Sequence, residues 1–172
     1  MKRIGIMTLV IIGLIAGAQV LQAETGNRLG VGVNYWKMLD DVDDDRFDEN
    51  GLSWLVTYQH ELAALLKLEV DLEIFPDDFL GLNDTAYAPE AYLVLGSAIY
   101  AAVGVGILYA DGDFADDPFY ALRAGLDLEI LSDIYLDLNV NYRFAEWTNA
   151  DDMADDIDGD TLTLGAALRF AF

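Results

Sequence analysis

From Ile134 to Phe144 apolar and polar residues alternate almost without error. Ile134, Leu136, Leu138, Val140, Tyr142 and Phe144 fall on one side, and Tyr135, Asp137, Asn139, Asn141 and Arg143 on the other. A period of two is the signature of a β-strand with two chemically distinct faces. Runs of this kind recur eight times, over residues 28–39, 51–62, 65–75, 87–97, 99–110, 119–131, 134–147 and 161–172. After Ala23 no stretch is apolar enough for a transmembrane helix. Whatever this chain folds into must therefore be built from eight short strands.

The connectors are of two kinds. Ala63-Ala64, Ser97-Ala98 and Ser132-Asp133 read as tight turns, the first without the Gly or Asn that a primed turn prefers. The segments 40–50, 76–86, 111–118 and 148–160 are long and acidic. Long and short connectors strictly alternate. In an up-and-down antiparallel sheet this places every long loop at one end and every short turn at the other. Pro89, inside the fourth run, removes one ladder donor and belongs near a rim or bulge.

Alternation is symmetric, so it does not say which face is inside. A soluble, lipocalin-like ligand-binding barrel turns the apolar face inward, and an outer-membrane barrel turns it outward. The composition of the polar face favours the second. It contains Gly30, Gly32, Gly96, Gly104, Gly106, Gly125, Gly165, Ala102, Ala121 and Ala167. Glycine weakens a water-facing strand, whereas a narrow eight-stranded lumen needs small residues to be filled without clashes. The same face carries Arg28, Glu61, Lys67, Glu69, Asp71, Glu73, Glu90, Arg123, Asp127, Glu129, Asp137, Arg143 and Arg169. Eight acids and five bases can pair across a lumen, and unpaired burial would cost several kcal/mol each. The acid excess implies carboxylates that are protonated, wet at the ends or bound to cations.

The opposite rows suit lipid. They include Leu66, Leu68, Val70, Leu72 and Ile74 on the third run, and Leu162, Leu164, Ala166, Leu168 and Phe170 on the last. Each run reaches the roughly 9–11 residues of a tilted span. Tyr35, Trp54, Tyr58, Tyr87, Tyr109, Tyr120, Tyr142 and Phe144 read as a girdle toward the long loops, with Phe170 and Phe172 at the other end. The expected fold is all-β: an eight-stranded antiparallel up-and-down transmembrane β-barrel, closed so that no unpaired edge meets hydrocarbon.

The first 23 residues add a compartment. Lys2 and Arg3 precede an apolar core from Ile4 to about Ala18, and small and polar residues follow to Ala23. This is the layout of a signal peptide, with a retained single anchor as the alternative. The expected division is residues 1–23 for export and 24–172 for the barrel. A formal charge of -22 argues against nucleic acid as a partner. The absence of cysteine excludes disulfides and thiolate chemistry.

With its leader, its "GLDLEILSDIYLDLNVNYRF" hairpin and its terminal "LTLGAALRFAF", the chain resembles the eight-stranded OmpA- and OmpX-like outer-membrane barrels. The resemblance covers the whole expected mature chain and is specific for architecture rather than activity. It implies periplasmic short turns, extracellular long loops and a C-terminal Phe172 read by the barrel-assembly machinery. No peptidoglycan-binding segment follows the last run, so a tethering role is not expected.

Chemistry is sparse. His60, the only histidine, stands with the apolar row near a short turn, and Ser53 lies most of a strand away. Acyl transfer needs base and nucleophile within hydrogen-bond reach, so no enzyme is expected. Twenty of the 31 acids lie in the four long segments. Asp43, Asp45, Asp156, Asp158 and Asp160 are candidate ligands for loosely bound divalent cations, although their spacing does not match an EF-hand. No other cofactor is expected. Such cations could bridge the loops to lipopolysaccharide, while the plainer reading is a solvated, self-repelling surface. Glu69, Asp71 and Glu73 could instead line a small cation-selective pore. The expectation is a structural or surface-interaction protein of the outer membrane. Its partners would be outer-membrane lipid, lipopolysaccharide and the assembly machinery. The sequence does not identify an extracellular partner.

Overall fold

A computed structural model describes residues 26–38, 50–76, 85–110, 112–144 and 161–172. Eight long strands are β1 (Asn27–Met38), β2 (Asn50–Ala63), β3 (Leu66–Phe75), β4 (Ala86–Gly96), β5 (Ile99–Gly106), β8 (Phe119–Leu131), β9 (Ile134–Phe144) and β10 (Thr161–Ala171). Two very short ones, β6 (Tyr109–Ala110) and β7 (Asp113–Phe114), lie between β5 and β8. Each long strand pairs antiparallel with the next along the chain. The circle closes where β1 meets β10, from Arg28↔Ala171 to Met38↔Thr161. The fold is thus the expected closed up-and-down barrel.

The alternation becomes the two faces of the wall. Leu128 and Leu164 are 40% and 52% exposed on the outside, whereas Asp137 and Arg169 are fully buried on the inside. This inverts a soluble ligand-binding barrel and overturns that alternative. Small residues sit where large ones cross the lumen. A Cβ on Gly104 would come within 2.4 Å of the Tyr92 ring. One on Gly125 would lie 2.7 Å from the Tyr100 hydroxyl.

Two local expectations need correction. The first short turn is Ala64-Leu65 rather than Ala63-Ala64, because the β2–β3 register shifts between Glu61 and Ala63 and lengthens β2 by one residue. The run 99–110 is not one strand. The β4–β5 ladder stops at Glu90↔Gly106 and resumes in step at Tyr87↔Tyr109. Between them Pro89 has no N–H to give, and its carbonyl only accepts from the Ile107 N–H at 3.2 Å. Pro89 therefore marks the interruption expected of it. The seventh run is described from Ile134 to Phe144, and its residues 145–147 lie outside the described residues. The Ser132-Asp133 turn stands as expected, with Asp133 at φ 65°, a conformation Asp tolerates better than most residues.

Candidate functional site

The lumen is the first candidate. Alternate residues of β3 aim Lys67, Glu69, Asp71 and Glu73 inward, and their partners come from across the barrel. Arg123 of β8 lies 2.5 Å from Glu69 and 2.9 Å from Asp71. Arg169 of β10 pairs with Glu69 at 3.0 Å and with Asp137 at 2.9 Å, and lies 3.7 Å from Asp127. Asp127 also takes Arg28 at 2.5 Å and Lys67 at 2.9 Å, toward the short turns. Toward the long loops Arg143 bridges Glu73 and Glu90, the latter at 2.7 Å.

Neutral groups complete the shells. Gln59 donates to Glu69 at 2.7 Å, and Tyr100 donates to Asp137 at 2.7 Å. Ser53 donates to Glu73 and Tyr92 to Glu90. The Arg123 guanidinium also stacks 3.7 Å from the centre of the Tyr92 ring. The Asp71 oxygens accept no aligned hydrogen bond, so Arg123 holds that carboxylate by charge alone. Eleven of the thirteen expected lumen residues, six acids and five bases, thus form two ion-paired clusters joined through Tyr92, all buried or nearly so. The other two sit at their margin. Glu61 is half-buried, and Glu129 is exposed where the β8–β9 register shifts beside the turn.

Above the network lies a feature the sequence analysis did not isolate. Trp36, Phe75, Ala86 and Ala88 form a buried apolar cluster, with Leu108, Ala110 and Phe119 packed against it. Trp36 and Phe75 are in phase with the inward Asn34 and Glu73, and that phase was the signal that could have found them. Hydrocarbon thus caps the loop-side mouth of an ionic lumen. The arrangement braces the barrel from within, tying the inward carboxylates of β3 to arginines of β8, β9 and β10.

On the outer face, Tyr35 and Trp54 are exposed, and Tyr87, Tyr109, Tyr120 and Tyr142 are partly so. Phe170 and Phe172 are exposed at the opposite end. Two expected girdle members depart from this pattern. Phe144 is buried, packed against Tyr120 (ring centroids 5.9 Å apart) and Tyr142 (5.6 Å). Tyr58 belongs to the short-turn end, because β2 runs downward: it pairs with Leu29 and donates to Asn27 at 2.9 Å. His60 lies beside it, with its Nδ1 2.9 Å from the same Asn27 oxygen. Ser53 faces the lumen while His60 faces outward, so the two cannot act as nucleophile and base. The metal candidates Asp43, Asp45, Asp156, Asp158 and Asp160 lie outside the described residues, as does the expected export segment 1–23.

No family model and no curated protein matches the chain. Solved structures do match. Neisserial surface protein A is 12% identical, with a TM-score of 0.52 over 87% of this chain and 98% of that one. The N-terminal β-barrel domain of OprF from Pseudomonas aeruginosa is 10% identical, with a TM-score of 0.51 over 87% of this chain and 100% of that one. The chain has the fold of the small outer-membrane barrels, as its alternating runs led us to expect.

Proposed function

We propose that this protein is an integral outer-membrane barrel whose work is done at the cell surface by its acidic long loops, on a cylinder that does not conduct. The observation that carries the reading is the inversion of faces: leucine and valine rows cover the outside, and an ion-paired network fills the inside. Only a hydrocarbon surround makes that outside favourable. The crossed Arg–carboxylate pairs and the Trp36–Phe75 cap support an occluded lumen rather than a cation pore.

In this reading residues 1–23 direct export, Phe172 is read during assembly, and the short turns face the periplasm. The loops meet the medium, where their carboxylates repel one another and attract cations, including divalent ions shared with lipopolysaccharide. The test combines fractionation with gel mobility. The protein should stay with detergent-extracted outer membrane and migrate differently before and after boiling. Release by osmotic shock would defeat the membrane reading, and conductance steps in planar bilayers would defeat the occluded lumen.

A further inference from the structure

Among the described residues, the outer rows of the long strands carry no acid and two basic side chains, Lys37 and His60. The β1–β2 ladder fixes the height between them, running from Asn27↔His60 to Lys37↔Asn50. The span of β1 from Asn27 to Lys37 rises about 33 Å along the strand, or about 25 Å along the axis at a tilt of about 40°. That matches the apolar band of a small membrane barrel, so His60 stands at headgroup level on the short-turn side and Lys37 on the other.

The His60 ring is held in place. Its Nδ1 lies 2.9 Å from Asn27 Oδ1, which also accepts from the Tyr58 hydroxyl at 2.9 Å. An oxygen in that role accepts from the ring as well. In the neutral imidazole Nδ1 therefore carries the hydrogen and Nε2 the lone pair. His60 is partly exposed, and Leu68 opposite it and Leu62 farther along β2 are exposed too. An acceptor set in apolar surface at headgroup level matches a donor carried by a lipid. The local charge adds a sign to that donor. Glu61, the next residue of β2, is half-buried at the rim, with its Oε2 3.0 Å from where a Cβ on Gly26 would stand. Its register partner Lys67 is taken up by Asp127 at 2.9 Å.

From these features we infer that the Asn27–Tyr58–His60 corner binds the primary-ammonium headgroup of a phospholipid in the leaflet at the short-turn end. The inference rests on the reading above that lipid surrounds the barrel. An ammonium N–H would donate to His60 Nε2, the Glu61 carboxylate would attract the charge, and the acyl chains would lie along the Leu29 and Leu68 rows. A quaternary ammonium has the same charge but no N–H, and so would lack the bond.

His60 is the only histidine, so isotopically labelled histidine reports one ring. The barrel is folded in a neutral detergent at mildly alkaline pH, which keeps an imidazole neutral. Short-chain phosphatidylethanolamine is then titrated in, with phosphatidylcholine and phosphatidylglycerol of the same chains for comparison. The ethanolamine lipid should move the Nε2 resonance saturably. It should bind about fivefold more tightly than the choline lipid, as expected for one hydrogen bond. The glycerol lipid has hydroxyls but no cation, so it should bind more weakly, and Glu61→Gln should narrow that gap. His60→Phe should erase the ethanolamine preference in a barrel that still shifts on the gel after boiling. Equal binding of the ethanolamine and choline lipids would overturn the site, as would a preference that survives His60→Phe. Tightest binding by the glycerol lipid would overturn it in favour of phosphate recognition. The membrane reading fails separately, by fractionation, because the micelle titration does not depend on where the cell keeps the protein.

Discussion

Arg169 offers the sharpest test of the lumen. It is fully buried, and it is the cation nearest Asp137, at 2.9 Å. The other partners of Asp137 are neutral donors, Tyr100 and Asn139. Glu69 would keep Arg123 after the loss of Arg169, and Asp127 would keep Arg28 and Lys67. Arg169→Met therefore strands one carboxylate in particular, which should cost about 3–5 kcal/mol. With a urea slope of about 2 kcal/mol per molar, the unfolding midpoint in lipid vesicles should fall by roughly 1.5–2.5 M. Adding Asp137→Leu should recover most of that loss, because a well-packed apolar replacement of a buried pair is often neutral or stabilising. Lys67→Met should cost clearly less, since Asp127 retains two guanidinium groups. A drop below about 1 kcal/mol for Arg169→Met, or no rescue by the double change, would mean that water reaches Asp137 and that the network is not dry.

Other perturbations probe the wall and its assembly. Leu126→Arg, at an exposed position on the outer face, should destabilise the barrel by about 2–4 kcal/mol in lipid if it sits near mid-bilayer; near-neutral refolding would contradict a lipid-facing β8. Gly104→Val should destabilise the barrel by about 1–3 kcal/mol through overpacking, read as a lower urea midpoint, because its Cβ would fall 2.4 Å from the Tyr92 ring. A Tyr92→Ala background should relieve that penalty. Deleting Phe172 should impair assembly in cells more than refolding in detergent, and equal losses in both would remove the targeting role given to the C-terminus.

Period-two alternation made the wall readable because each strand turns an apolar row outward and meets a crowded lumen on the other side. A one-residue slip would put Asp137 on the apolar outer face and Leu138 among the arginines, so register is strongly specified. The turns were less readable. Ala64-Leu65 lacks the Gly or Asn that betrays a turn, so the sequence could not reveal the register shift after Glu61. The β6–β7 hairpin did carry a signal in Asp111-Gly112, a favoured turn dipeptide between short β segments. Its acidity hid it, because the surrounding residues read as one solvated loop. Pair identities in the lumen were not legible at all. Arg143 and Glu73 are 70 residues apart, and only the stagger of the closed sheet brings them together.

The chain's charge of -22 belongs to two populations with different physics. Inside, among the described residues, six acids meet five bases, which is near balance because each unmatched buried charge costs several kcal/mol. Folding therefore holds the lumen close to neutral whatever the total charge. The excess falls in the four long segments of the sequence, and charge that meets water and salt is screened cheaply. Selection on stability can account for the inner set and says nothing about the outer one, since surface repulsion adds little to a barrel already closed by hydrogen bonds.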